Sequence, residues 1–406
     1  MQLETSSALK QLNHSVLLAR AKGLGNLLSE QSSVGENQGR LTDETINALA
    51  GADLFSLFVP KCLGGAELSP TEGLEIIESI SRADGSTGWV VMATQVSVAS
   101  CAAFLKPPVA KAIFGTHIPL IAGQGAPMGR ADTELGGYRL NGSWNYGSGL
   151  LHSEWIHTGA MVHQDGAPRS YPGTTQPDAR IFIVPINQAE LKGNWDVLGL
   201  RATGSIDYSI KNVFVSEDYT HRLNANRPHQ GGDLYRLGIL GLATVGHTGF
   251  ALGIARRTLD EIARVAQASS GRPSMLSNRG GGENFHLQYG RSEAQLLAAR
   301  AFAFDIWNQI QCRLLGGDDP TVRQITLARL AFTNATSVAT TIGNLAFEFG
   351  GGSALRSGSI QRCFRDQRAG AQHLTASEAV VRECAKELLG LMQGKVWSLA
   401  QMIDLN

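Results

Sequence analysis

A chain of 406 residues with 35 Lys plus Arg against 35 Asp plus Glu carries no net formal charge, so no global field draws it to nucleic acid or to an anionic membrane. Its 43% hydrophobic content and mean hydropathy of -0.06 fit a soluble protein with core enough for two or three domains. The five cysteines (62, 101, 312, 363 and 384) are odd in number and never spaced as CxxC, which argues against a disulfide framework or structural zinc and for a reducing, cytoplasmic compartment.

The amino terminus lacks a basic segment followed by an apolar one, so no signal peptide is expected. Residues 1–115 alternate helical runs with short breakers. Thr42 offers a loose N-cap there, and Ser69 or Thr71 around Pro70 a better helix start. Pro107, Pro108 and Gly115 close this part.

From 116 to 225 the pattern turns to strands. "GGYRLNGSWNYGSG" alternates after a Gly-Gly turn, "ARIFIVPI" is a short apolar run, and "SIDYSIKNVFVSED" alternates through Ile206, Tyr208, Ile210 and Val213. Short strands broken by Gly, Asn and Asp predict a small antiparallel barrel or sandwich.

Helices return over 226–406. Residues 237–255 run for 19 residues without a formal charge, yet five glycines, two threonines and His247 suit a buried bundle helix better than a membrane span. A second helix follows the period Val322, Ile325, Ala328, Ala331, Ala335, Val338, Ile342, Leu345 and should stop at Gly350-Gly351-Gly352. The expected organisation is a helical domain over 1–115, a β domain over 116–225 and a helical bundle over 226–406.

Chemistry-bearing motifs are sparse. There is no GxGxxG after a strand, no phosphate-binding GxxxxGKS and no GxSxG elbow. His152, His157 and His163 follow no common metal-ligand spacing.

Four segments supply the connection: "RADGSTGWV" (82–90), "YRLNGSWNYGSGLLHSEW" (138–155), "WDVLGLRATGSIDYSIKNVFV" (195–215) and "FGGGSALRSGSIQRCFRDQRAGAQH" (349–373). In this order and spacing, the chain resembles the flavin-dependent monooxygenases that share the acyl-CoA dehydrogenase fold. The resemblance implies an α+β protein with an N-terminal helical domain, a middle antiparallel β-barrel and a C-terminal four-helix bundle. It also implies a homotetramer, with flavin held between the β domain and helices of its own and a neighbouring subunit.

In dehydrogenases of this fold a glutamate usually follows the Arg-Asp pair and removes the substrate proton. Here Arg365-Asp366 is followed by Gln367, Arg368, Ala369, Gly370, Ala371, Gln372 and then His373. Residues 237–255, where the alternative base would fall, hold no Asp or Glu. The resemblance therefore points to the hydroxylase branch, with His373 as base or orienting group. A reference phenol near pKa 10 and histidine near 6.5 leave about 3.5 units, roughly 5 kcal/mol, for the site to offset.

Ser148 matches the serine that contacts the flavin near N5. Trp144 beside it is expected at the cofactor, Trp89 with His373 in the substrate pocket, and Trp155 as a further water-excluding wall. Thr203 and Ser205 match the flavin-side turn, Arg272 is the nearest candidate for the flavin phosphates, and Gly351 and Gly352 permit close backbone approach. Arg365 and Asp366 are expected to pair with each other or with a neighbouring subunit.

The implied activity is that of an oxygenase component using reduced flavin (FADH2 or FMNH2) and O2 through a C4a-hydroperoxyflavin to hydroxylate a small phenolic or indolic substrate. A separate NAD(P)H-dependent flavin reductase would supply the diffusible flavin. The alternatives are N- or S-oxygenation, acyl-CoA dehydrogenation, and a non-catalytic tetrameric binding protein.

Overall fold

Residues 12–268 and 281–404 are described in a computed structural model of the chain. Six helices come first: α1 (His14–Gly23), α2 (Gly25–Gln38), α3 (Asp43–Gly51), α4 (Pro70–Ala83), α5 (Gly85–Phe104) and α6 (Pro107–Phe114). Their starts are chemically marked. The Thr42 side chain accepts from the Thr45 N–H and caps α3. Ser69 and Glu72 form a capping box around Pro70 at the head of α4. The Asp84 carboxylate opens α5 by accepting from both the backbone N–H (2.8 Å) and hydroxyl (2.7 Å) of Thr87. Helix α5 is apolar on every side and lies buried as a core helix.

The strands follow as β1 (Ile121–Ala122), β2 (Gly129–Glu134), β3 (Gly137–Gly147), β4 (Trp155–Gln164), β5 (Ala167–Pro168), β6 (Ala179–Pro185), β7 (Glu190–Leu191), β8 (Ile206–Ser216) and β9 (Thr220–Arg222). They form one sheet in the order β7-β8-β3-β2-β4-β6-β9, with β1 and β5 also paired to β4. The expected antiparallel barrel is corrected here to a mixed, unclosed sheet. β4 runs parallel to both β1 and β2, because no tight hairpin joins β3 to β4. Between them the chain turns at Gly149, which packs on Val90 and Thr94 of α5, and then re-enters beside β2. The path ends in strands of two and three residues, β7 and β9, which do not pair with each other.

Helices resume with α7 (Gly238–Ala268), α8 (Gly281–Leu315), α9 (Val322–Gly350), α10 (Gly352–Leu355), α11 (Ser359–Gly370) and α12 (Glu378–Leu388). A closing hairpin pairs β10 (Lys395–Trp397) with β11 (Met402–Asp404). The uncharged stretch from 237 belongs to α7, whose neighbours are α4, α5, α9 and α11. Its glycines are contact surface: a Cβ on Gly253 would lie 2.3 Å from the Glu78 carbonyl oxygen, and one on Gly249 2.8 Å from that of Leu74. α4 can therefore approach the α7 backbone closely. In α9, Ala328, Ala331, Ala335, Ile342 and Leu345 are buried, and the helix ends where Gly351 takes φ +51°.

Candidate active site

The last strand turn of β3 and the loop before β8 meet α5 through a line of hydroxyls. Trp89 Nε1–H donates to Ser148 Oγ (3.1 Å), Ser148 Oγ lies 2.7 Å from Ser205 Oγ, and Ser205 Oγ lies 2.6 Å from Thr203 Oγ1. Thr203 Oγ1 donates to the Leu200 carbonyl at 2.7 Å. Each hydroxyl has a single proton, which fixes the direction of the whole line. Thr203 gives its proton to Leu200, so Ser205 donates to Thr203 and Ser148 donates to Ser205. Ser148, 8% exposed and the most accessible of the three, is left with lone pairs only. Toward any ligand it is an acceptor.

Trp89 also reaches a second group. Its ring meets Phe250 edge-on (centroids 5.0 Å apart), His247 (5.1 Å) and His373 (6.1 Å). The two imidazoles lie 4.2 Å apart, and Phe332 lies 5.4 Å from His247. Around them Trp89, His247, Phe250, Ile254, Phe332 and Gln367 line a narrow cavity with room for about one water, about 10 Å³. None of its lining side chains carries a formal charge. Gly370 makes the tight fit possible, since a Cβ there would meet Phe250 Cε1 at 2.6 Å. Burial lowers the pKa of His373 to about 4. Burial, then proximity to His373, holds His247 well below the ordinary histidine value.

The charged run before His373 is a clasp between domains. Arg362 donates to Glu36 (3.1 Å) and to Ser32 Oγ (2.6 Å) on α2. Arg365 pairs with the same Glu36 and donates to the Leu198 carbonyl (2.8 Å). Asp366 accepts the Leu200 N–H at 2.6 Å. The expected Arg365–Asp366 pair is thus corrected, because the two side chains leave α11 toward different partners. Burial, then the nearby Asp84 carboxylate, raises the Asp366 pKa to about 7. The clasp holds Leu200, the terminus of the hydroxyl line, against the helix that leads into His373.

Of the residues expected at the site, Ser148, Thr203, Ser205, Trp89 and His373 come together through these contacts. Trp144 does not, which corrects its expected flavin contact. It is 0% exposed in the sheet core, stacked on Tyr208 at 5.4 Å, with its Nε1–H donated to the Gly159 carbonyl. Trp155 stacks on Tyr219 instead of walling the cavity. Gly351 and Gly352 stand at the exit of α9, where they cap and open α10, and Arg272 lies outside the described residues. His247 was missed as a site residue. A lone imidazole in an apolar run was its signal, though that pattern more often marks an ordinary core histidine.

Sequence models of the acyl-CoA dehydrogenase N-terminal and C-terminal domains match residues 28–106 and 245–378. The chain is 29% identical to an indole-3-acetate monooxygenase of Pseudomonas putida over 367 residues, covering 89% of this chain and 91% of that one. It is 31% identical over 228 residues to the flavin-dependent monooxygenase oxygenase subunit HsaA of Mycobacterium tuberculosis, covering 56% of each. The structure of XiaF from a Streptomyces species, in complex with FADH2 and glycerol, superposes with a TM-score of 0.82 at 23% identity, covering 93% of this chain and 96% of that one. The chain belongs to the acyl-CoA dehydrogenase family, and the relatives it resembles over most of its length are flavin-dependent monooxygenases.

Proposed function

We propose that this chain is the oxygenase component of a two-component monooxygenase that places one oxygen atom from O2 on a small phenolic or indolic substrate. The observation that carries the reading is Trp89, which joins the hydroxyl line at Ser148 to the histidine-lined cavity. With O2, bound reduced flavin supplies an electrophilic oxygen atom.

The hydroxyl line fits the reduced cofactor. Reduced flavin bears a hydrogen on N5, and Ser148 has an acceptor to offer it; oxidised flavin presents a bare nitrogen there. Thr203 and Ser205 hold that polarity from behind. Trp89, Phe250 and Phe332 exclude water, and His373 meets the substrate. Full transfer of a phenol proton to His373 in the resting site is too costly. A phenol near pKa 10 against a histidine at about 4 leaves about six units, roughly 8 kcal/mol. The histidine's contribution before oxygen transfer is a hydrogen bond.

Acyl-CoA dehydrogenation would need a carboxylate base beside the substrate. The cavity lining has none among the described residues, and Asp84 and Asp366 are held in the helix cap and the clasp. Relatives called an oxygenase subunit or an oxygenase component support a separate reductase for this chain. The choice of FAD or FMN, a contribution of Arg272, Gly351 and Gly352 to phosphate or adenine binding, and a cytoplasmic tetramer complete the reading. Exposed Leu355 at the end of α10 and Leu389 and Leu391 just beyond α12 favour burial against another copy. The division into 1–115, 116–225 and 226–406 follows the change from helix to strand and back.

The test supplies the purified protein with a generic flavin reductase, NADH, FAD or FMN, and a panel of phenols, indoles and amines. A mass gain of one oxygen on a phenol or indole is expected. Reoxidation at the free-flavin rate with no oxygenated product would refute the reading, and gain on amines alone would move it to N-oxygenation.

A further inference from the structure

His373, packed behind the cavity against His247 and Trp89, does not offer a ligand a free base. The Thr375 backbone N–H points at its Nδ1 from 3.4 Å, and the Thr375 hydroxyl lies 2.7 Å from the same atom. A backbone N–H is always a donor, so Nδ1 is the bare nitrogen, and in the neutral ring the proton sits on Nε2. Burial keeps the ring neutral. All that His373 has left for a ligand is a donor.

His247 is its complement. It lines the cavity, is 6% exposed, and has no hydrogen bond to a described residue. A neutral imidazole with neither nitrogen engaged always keeps one bare nitrogen. At a centroid distance of 4.2 Å from His373, that lone pair is the acceptor the neighbouring ring cannot supply.

We propose that His247 and His373 divide the recognition of one phenolic hydroxyl: His247 accepts its proton in a hydrogen bond, and His373 Nε2–H donates to its oxygen. An aromatic hydroxyl both gives and takes a hydrogen bond, whereas an indole N–H only gives and an aryl ether only takes. The uncharged walls suit a neutral ring, and entry requires the aromatic walls to part, because the cavity now holds only about one water. The pair's use as a substrate selector rests on the monooxygenase reading. Its binding chemistry does not, so the test is made without flavin or turnover.

Calorimetric binding of phenol and anisole compares a donor-bearing ligand with its methylated counterpart. Wild type should bind phenol about tenfold more tightly, the worth of one hydrogen bond. His247→Leu should bring that ratio to about one, His247→Asn should restore part of it, and His373→Leu should weaken both ligands while keeping the ratio. Overturning results are a wild-type ratio near one, a ratio that survives His247→Leu, or one that disappears in His373→Leu. If the His247 variants do not fold, 15N NMR of the wild type decides. A bare Nδ1 on His373 and His247 signals that move with phenol but not anisole support the assignment, and the opposite pattern sinks it. A mass-gain assay that fails while these ratios hold would remove the oxygenase reading and leave the pair standing.

Discussion

His157 and His221 lie in the sheet with ring centroids 6.1 Å apart, whereas His247 and His373 lie among the carboxy-terminal helices at 4.2 Å. His157, His221 and His247 are buried and His373 is partly buried, and burial depresses all four pKa values. In the sheet pair, each ring spends one nitrogen on the protein: His157 Nε2 is 2.8 Å from Ser100 Oγ, and His221 Nδ1 is 2.9 Å from the Arg222 carbonyl. The remaining nitrogens, His157 Nδ1 and His221 Nε2, are sealed in without partners. In the helical pair His247 lines a cavity, and both rings pack against Trp89, which leads to Ser148. A depressed pKa therefore does not mark the site. A cavity lined by His247 and a polar line from Trp89 to Ser148 set the helical pair apart.

The sharpest way to break this contrast is substitution in each pair. His373→Ala should lower coupled oxygenation by about 10² while reduced-flavin binding persists, so that consumed O2 leaves as hydrogen peroxide. His157→Gln should leave the ratio of product to peroxide unchanged and lower the melting temperature only. Equal uncoupling in the two variants, measured by product and peroxide yields, would erase the distinction.

Acid titration sharpens it next. A histidine whose folded pKa is depressed stabilises the native state fully above its unfolded pKa of about 6.5. That stability is lost as pH falls, at up to about 1.4 kcal/mol per pH unit per group. For His157 the window extends down to about 3, and for His221 to about 4. Asp366 acts oppositely, since its raised pKa near 7 gives stability present at low pH and lost as pH rises through 7. The depressed histidines outnumber it, so stability should fall between pH 6.5 and 5. His157→Gln should reduce proton uptake on unfolding by about one in that range, read from the pH dependence of denaturant midpoints. An unchanged slope would mean that His157 is already charged in the native protein.

The sequence showed the site's residues better than their orientations. Alternation located β3 and β8, a short apolar run located β6, and the quoted segments contain Ser148, Thr203, Ser205, Trp89 and His373, all of which meet. Simple alternation would put Trp144 and Ser148 on one face, but the register of β3 against β8 shifts between Trp144 and Gly147. Tyr146 takes φ +63° in that interval, so the tryptophan turns into the core and the serine emerges at the strand's end. The parallel pairing of β2 with β4 was equally hidden, because it depends on how the chain crosses α5. His247 offered no local motif, and only the packing of α7 against α11 brings it to His373.

The smallest expected effect tests the polar line itself, the feature the sheet pair lacks. Ser205 touches Ser148 from the side of Thr203, so its role in the line is to take the Ser148 proton. With that proton committed, Ser148 would accept from N5–H of reduced flavin and would offer nothing to the bare N5 of oxidised flavin. Ser205→Ala frees the proton, and Ser148 can then donate to oxidised flavin, while Trp89 still holds its oxygen in place. The preference for reduced flavin should narrow by about fivefold to tenfold, the worth of one hydrogen bond. For a two-electron couple this lowers the bound-flavin midpoint potential by about 20 to 30 mV. A purely structural serine would weaken both redox forms alike and leave the potential where it was. A rise in potential would reverse the direction assigned to the hydroxyl line, and Ser148 would then be the donor.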